Sequence, residues 1–396
     1  MKKAMIITIG TGYGVENGVA FSIRQQNPDL LCFIYSKESE KTLDAVLTKL
    51  AKKREDVVLK QFDEINDVEI LYQKYSEYIV QILEKGYSLD EVVADYTSGT
   101  KSMSAALVSA ALAKEIGVLS YVYGLRDEQG RVISDTERIS PLSPNAILIE
   151  QKIKFFKQLF NHYQFDPAFE LLSNATIHYN FKDLVNFYLG LAKSYAEWDR
   201  FNFKQAFEQL NSLDTKISAQ LQLKKLVEDH KTKLYKLKQV NEQAKLSETD
   251  LTDLFSNALR RFREGKYDDC VARLYRLVEM VAQIEFEKEF GMTTDKVEID
   301  ILPDSLRERL ADNQKKQQVE LGLLDAFKML NEKSENKRAK TFFARLDEFK
   351  KLLYVRNYSR LAHGQRPINR ETCEKLSSFV QEVFEIKDSI NFPKLK

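Results

Sequence analysis

Cysteine, proline, glycine and tryptophan are all scarce in this chain of 396 residues, at 3, 7, 14 and 1 respectively. Cys32, Cys270 and Cys373 stand far apart and form no Cys-x-x-Cys pair, which excludes zinc ribbons and thioredoxin-like chemistry. Nor do they suit a disulfide framework, so a reducing, cytoplasmic setting is expected. So few chain breakers favour a helix-rich protein. An excess of one charge is also missing. The chain has 60 basic and 59 acidic side chains, net +1, which excludes a strongly basic nucleic-acid coat but leaves room for a local basic site. No apolar run reaches the roughly 18 residues of a membrane span, and no membrane partner is expected. Met1-Lys2-Lys3 before Ala4–Ile9 looks like a secretory leader only superficially. Its apolar run is short, is broken by Gly10-Thr11-Gly12 and lacks a cleavage pattern.

What is present is a soluble globular composition, 43% hydrophobic and 30% charged, long enough for two or three domains. Three regions are predicted. Residues 1–146 alternate short apolar runs with helical periods, as a Rossmann-like, mostly parallel, doubly wound sheet should. Its strands are expected at Ala4–Ile9, Leu30–Tyr35, Glu91–Tyr96, Val118–Tyr123 and Arg131–Ser134, with helices at Thr42–Lys53, Ile70–Lys85 and Ser102–Ile116. Pro141 and Pro144 mark its end. Residues 147–248 form a helical connector. In it Ala168-Phe169-Glu170-Leu171-Leu172 and Ala206-Phe207-Glu208-Gln209-Leu210 are similar segments, an echo of helical-hairpin repeats or simply an irregular connector. Ser247-Glu248-Thr249-Asp250 reads as a capping box that opens the last region, an all-helical bundle over 249–396. The first 150 residues carry 17 basic and 22 acidic side chains, so this half is net acidic.

Two loops of the first region follow strands, where open α/β sheets bind ligands. One is Gly10-Thr11-Gly12-Tyr13-Gly14. The other, Thr97-Ser98-Gly99-Thr100-Lys101, leads into a helix and offers small residues, hydroxyls, a lysine and helix-start N–H groups, which suit a phosphate. Neither fits a dinucleotide fingerprint or a P-loop. Gly10-x-Gly12-x-Gly14 has the wrong spacing, and Gly99-Thr100-Lys101 lacks the first glycine of a P-loop. Gly-Thr turns that merely join strand to helix would also look this way.

Near the C-terminus stands Arg356-Asn357-Tyr358-Ser359-Arg360-Leu361-Ala362-His363-Gly364. Read as helix, seven residues at about 100° each return His363 over Arg356, with Arg360 between them and Gly364 and Pro367 as terminators. A guanidinium beside an imidazole that titrates near neutral pH can do phosphodiester chemistry: His moves protons and Arg clamps the phosphate. A histidine capping a helix end beside surface arginines gives the same spacing. The other histidines, His162, His178 and His230, read as solvated or packing residues. Upstream, Gly265-Lys266-Tyr267-Asp268 is a turn before a long amphipathic helix, and Arg273, Arg276 and Glu279 on that helix could face the same region, though a solvated charged face explains most of them equally simply.

The Gly10-Thr11-Gly12 and Asp95–Lys101 loops on a Rossmann-like domain resemble the CARF domain of CRISPR ancillary proteins. Arg356-Asn357-x5-His363 in a terminal helical domain, with the Gly265-Lys266-Tyr267-Asp268-Asp269 helix pair, resembles the HEPN ribonuclease motif and bundle. Together they look like a CARF–HEPN ancillary ribonuclease of type III CRISPR systems. The resemblance implies a homodimer whose CARF domains bind cyclic oligoadenylate through Gly10, Thr11, Gly12, Thr97, Ser98, Gly99, Thr100 and Lys101. Its HEPN domains would then cut single-stranded RNA with Arg356, Asn357 and His363, without a metal or other cofactor. Attack by the 2′-OH would leave a 2′,3′-cyclic phosphate and a 5′-OH. Two alternatives stay open: a non-catalytic sensing module that holds RNA or a protein, and a sensor that also degrades its own activator.

Overall fold

The computed structural model describes residues 2–128, 132–133, 135–142, 144–175, 177, 179–310, 317–360, 364–386 and 389–396. It divides into two compact units, residues 1–153 with 175–182, and 154–174 with 183–396.

The first unit runs β1 (Ala4–Ile9), α1 (Val15–Gln26), β2 (Leu30–Ser36), α2 (Glu40–Lys49), β3 (Val58–Phe62), α3 (Val68–Glu84), β4 (Val92–Asp95), α4 (Lys101–Ala113), β5 (Val118–Tyr123) and β6 (Arg138–Leu142). The strand order is β3-β2-β1-β4-β5-β6, parallel except for β6. Every residue of β1 is buried, because helices cover both faces of the sheet and a central strand then reads as one unbroken apolar run. Ala4 and Ile6 pack towards α3 and α4, whereas Met5, Ile7 and Ile9 pack towards α1 and α2. The chain order reverses between β1 and β4, which opens a crevice at their carboxyl ends.

Two strand expectations need correction. The strand that pairs with β5 is Arg138–Leu142, antiparallel, in place of one at Arg131–Ser134. Arg131 and Ser134 themselves lie outside the described residues. Val132 makes only an isolated bridge to Arg126. Thr136 ties this connection back, accepting from Leu125 N–H (3.0 Å) and donating to the Ile133 carbonyl (2.6 Å), so strand pairing resumes only beyond it. Pro141 thus belongs to an edge strand, a place where a missing N–H is tolerated. β3 was not foreseen, because Val58-Leu59-Lys60-Gln61-Phe62 mixes polar and apolar residues as edge strands do.

The second unit is almost entirely helical. It takes in α5 (Asn145–Asn161) from residue 154, then α6 (Phe165–Ser173), α7 (Lys182–Asp199), α8 (Phe203–Asn211), α9 (Thr215–Gln220), α10 (Lys224–Glu242), α11 (Glu248–Arg263) and α12 (Tyr267–Phe290). A small β7 (Val297–Glu298) and β8 (Gln318–Val319) pair flanks α13 (Asp304–Leu310). α14 (Leu323–Lys333), α15 (Lys337–Ala344), α16 (Leu346–Asn357) and α17 (Arg370–Val383) complete the unit. The weak repeat in the sequence has a structural counterpart. α6 and α8 are both nine-residue helices that bury Phe165, Ala168 and Leu172 in one and Phe203, Ala206 and Leu210 in the other. Each follows a left-handed residue, Tyr163 (φ 63°) or Phe201 (φ 66°). The α11–α12 turn repeats the device at Gly265 (φ 74°), where glycine accepts that conformation without a Cβ penalty.

Ser247 opens α11 with the expected capping box, its hydroxyl accepting from Asp250 N–H and Asp250 reaching back to Ser247 N–H. At the centre of the unit Arg260 is 1% exposed. Its Nε donates to Asp199 Oδ1 at 2.8 Å and its guanidinium lies 3.9 Å over the ring of Phe392, a residue of the C-terminal segment. Trp198 Nε1 donates to Asp253 Oδ1 (2.8 Å) in the same cluster. The Tyr195 hydroxyl, which burial keeps protonated, and His230 Nδ1 are hydrogen-bonded at 2.7 Å. His230 is therefore a packing residue.

Burial pushes the Asp253 carboxyl up to about 7, against the pull of Arg260 and the Trp198 N–H. Burial pushes the His230 imidazole down to about 3, helped by Lys233 and Arg260. The raised carboxyl binds its proton more tightly in the folded state, so its contribution falls as pH rises from about 4 to about 7. The depressed imidazole resists protonation in the folded state, so its contribution falls as pH drops from about 6.5 to about 3. Between about 4 and 6.5 the two oppose one another. Asp253→Asn keeps the acceptor for Trp198 but removes the first effect. The urea midpoint of this variant should therefore drop more between pH 7.5 and 5.0 than that of the wild type. Parallel shifts would show that Asp253 is ionised at both pH values.

Candidate functional site

At the carboxyl ends of β1 and β4 the two expected loops meet. Gly10 abuts Gly99 so closely that a Cβ on Gly10 would lie 2.9 Å from the Gly99 nitrogen. Gly10 N–H donates to Ser98 Oγ (2.9 Å), and the Thr8 hydroxyl donates to the Ser98 carbonyl. Gly99 has φ 106°, and a Cβ there would meet Thr8, so glycine is required on both counts. Thr97 Oγ1 accepts from Val122 N–H (2.9 Å). Thr100 is the N-cap of α4; its Oγ1 accepts from Met103 N–H (3.1 Å) and donates to the Ile65 carbonyl (2.9 Å). Beneath the loop, Asp95 is fully buried. Burial raises its carboxyl, opposed by the Ser22 hydroxyl and by Thr97 N–H, which donates to Asp95 Oδ1 at 2.9 Å.

The hydroxyls of this loop are thus engaged in building it. Thr11, Gly12 and Lys101 are exposed at the same edge. Thr97 and Ser98 line a cavity of about 240 Å³ whose wall includes Tyr13, Asn17 and Tyr121. Tyr121 also stacks on Tyr96, ring centroids 5.3 Å apart. The aromatic members of this cavity were missed at the level of sequence. Tyr13 could have been found, since it sits inside the glycine loop and is 83% exposed.

In the second unit, α16 ends at Asn357. The expectation of one helix running to Gly364, with Arg356, Arg360 and His363 on one stripe, is corrected here. Residues 358–360 and 364–366 are not helical. In place of a further turn, carbonyls at the helix end take hydrogen bonds from a returning segment. Ser359 N–H donates to Arg356 O (2.9 Å), Gly364 N–H to Ser359 O (3.0 Å) and Arg366 N–H to Tyr358 O (3.1 Å). Gly364 is not simply a terminator, for a Cβ there would lie 2.0 Å from the Tyr358 carbonyl oxygen. His363 lies outside the described residues.

Arg356 and Asn357 are side by side, Nη1 donating to Asn357 Oδ1 at 3.0 Å. The Arg356 guanidinium sits 4.4 Å over the ring of Tyr275 on α12. Burial raises the Tyr275 hydroxyl, as does Glu279, while Arg356 lowers it. Of the three α12 residues expected nearby, Arg276 pairs with Glu279 (3.1 Å), and both line a cavity of about 620 Å³. Arg273 is committed to Asn257 and Asp269. Among the described residues no group of three or more His, Cys, Asp or Glu could hold a metal ion. None of the described helices is long and apolar enough to cross a membrane.

A family model described as the Csm6 HEPN domain matches residues 239–387, and one described as the Csm6 6H domain matches 148–244. The chain belongs to the Csm6 family. Csm6 proteins are the CARF–HEPN ancillary ribonucleases of type III CRISPR systems anticipated from the two motifs. Arg356 and Asn357 fall inside the HEPN match, and α6 to α10 inside the 6H match, which accounts for the connector that the motifs left unexplained. Among solved structures, Enterococcus italicus Csm6 bound to cyclic hexa-2′-fluoro-hexa-dAMP shares the fold. It is 12% identical over 98% of this chain and 94% of its own, with a TM-score of 0.59. The α/β sheet followed by all-helical regions is thus a Csm6 architecture. No curated protein sequence matches the chain.

The Tyr358–Arg366 closure yields a prediction. Gly364→Ala should break the Gly364 and Arg366 hydrogen bonds and speed amide exchange in peptides covering 358–366. The α11–α12 hairpin should exchange as before. Unchanged protection at 358–366 would mean that the close approach does not hold this segment.

Proposed function

We propose that this Csm6-family chain is a metal-independent endoribonuclease, active as a homodimer on single-stranded RNA and switched on by cyclic oligoadenylate. In this reading residues 1–146 sense the activator, 147–248 are the connecting 6H helices and 249–396 cut RNA. Arg356 clamps the scissile phosphate and offsets its developing charge, His363 moves the protons, and Asn357 orients Arg356. The 2′-OH is the nucleophile, the 5′ oxygen leaves, and the products carry a 2′,3′-cyclic phosphate and a 5′-OH. The observation that carries the reading is the posture of Arg356 in the Csm6 HEPN match. Its guanidinium is braced on Tyr275 and Asn357 at the end of α16, beside a segment whose return is tied to that same helix end.

The activator reading rests on the Gly10–Gly99 approach at the reversal of strand order, where Thr11, Gly12 and Lys101 are exposed and Thr97 and Ser98 line a cavity. The acidic balance of this half requires backbone N–H groups, the α4 N-terminus and Lys101 to supply the local attraction for phosphate. Since the Enterococcus italicus protein was solved with a cyclic hexa-adenylate analogue, the six-membered ring is the first to test.

His363→Ala and Arg356→Ala, each in the full chain, should lower RNA cleavage by about 10²–10⁴-fold. Binding of cyclic hexa-adenylate, followed by calorimetry, should be unchanged. EDTA should leave wild-type cleavage intact. Wild-type rates in both variants would overturn the assignment, and cleavage stopped by EDTA would overturn the metal-free mechanism.

A further inference from the structure

Around the proposed cutting centre lies a stretch of unusual charge. Residues 349–370 contain six Lys or Arg side chains, Lys350, Lys351, Arg356, Arg360, Arg366 and Arg370, and no Asp or Glu. Two aromatic rings stand in the middle of it. Tyr354 is 60% exposed and Tyr358 51% exposed, although large rings are usually half buried or better. Their centroids are 4.5 Å apart with the planes inclined at 43°. They flank Arg356 in sequence, on the last turn of α16 and its cap.

Exposed rings beside this many cations, of which Arg370 is paired with Glu374 (2.8 Å), call for an occupant that is both flat and anionic. Single-stranded RNA is such an occupant: each base has a π-face that stacks on tyrosine, and each phosphate takes a cation.

We propose that Tyr354 and Tyr358 form a base-stacking platform that seats a nucleotide next to the scissile phosphate, with Lys350, Lys351, Arg360 and Arg366 tracking the backbone on either side. This rests on the nuclease reading for the position of the phosphate, but its binding step can be measured without cleavage. Tyr354 and Tyr358 act on the register of the strand and not on proton transfer, so they are positioning residues.

The test uses the full chain in a His363→Ala background, titrated with a fluorescent oligoribonucleotide, together with cleavage kinetics in the otherwise wild-type background. Tyr354→Ala and Tyr358→Ala should each weaken RNA binding by about five- to a hundredfold. In cleavage they should raise KM more than they lower kcat. Tyr354→Trp and Tyr358→Trp should restore binding, because they keep a stacking face. Sedimentation should show the same oligomeric state as the parent. RNA affinity unchanged in both alanine variants would overturn the platform even if the chain cuts RNA. Loss of the dimer in these variants would overturn it too, by making the pair a contact between copies. Binding that falls and is rescued by tryptophan supports the platform even in a chain that does not cut.

Discussion

A single buried cation organises the helical unit. Arg260 is nearly removed from solvent, and such a charge is tolerable only when it is paired and well packed. Asp199 from α7 and the Phe392 ring from the C-terminal segment meet it from two sides. Asp199 also takes Arg261 Nη2 at 2.5 Å and Asn257 Nδ2 at 3.2 Å, so one carboxylate binds three side chains of α11. Removing Asp199 would leave buried donors without an acceptor, a far larger cost than losing a surface pair. Phe392 packs against Tyr195 and Trp198 as well, and full burial of such a ring is worth about 1.5–3 kcal/mol. The 6H helices, α11 and the last residues of the chain are therefore one body. The connector is no loose tether within this unit.

The proposed cutting centre inherits its frame from that body. α11 turns at Gly265 into α12, and α12 presents Tyr275 to the guanidinium of Arg356. α12 also packs along α14 and α17 around Phe327, Phe342, Phe349 and Phe379, which fixes the helix carrying Arg356. An arginine in the proposed role of meeting a phosphate gains from such bracing, because side-chain freedom is lost before the substrate arrives. At the proposed sensor edge the equivalent constraint is backbone against backbone. Gly10 and Gly99 touch, the Ser98 hydroxyl accepts from Gly10 N–H across that contact, and the hydroxyls of Thr97 and Thr100 tie the same loop to Val122 and to the start of α4.

Sequence was most informative where one physical pattern dominated. The buried run Ala4–Ile9 is a strand with the bounds expected, and Leu30–Tyr35 extends by one residue. The alanine-rich helix expected at Ser102–Ile116 is α4, which starts one residue earlier and ends at Ala113. The resemblance to two short motifs reached the family. What could not be read was set by distant partners. The helix end at Asn357 depends on amides of Gly364 and Arg366 coming back to it, and a helical periodicity count has no term for that return. The edge strand Arg138–Leu142 depends on a connection tied at Thr136. Tyr275 under Arg356 and the exposure of Tyr354 and Tyr358 are likewise tertiary facts, since an aromatic at helical spacing reads as core. The same limit hid the burial of Phe392 beyond the last helix.

The central claim is that a ligand on the sensor sheet governs RNA cutting by the Arg356 centre. The most direct measurement is the initial rate of single-stranded RNA cleavage by the full wild-type chain over a titration of cyclic hexa-adenylate, with analysis of the product ends. The account predicts a low basal rate and a saturable rise with activator, with every cut leaving a 2′,3′-cyclic phosphate and a 5′-OH. A rate independent of cyclic tetra- and hexa-adenylate alike, or cuts that leave 3′-OH and 5′-phosphate ends, would contradict it.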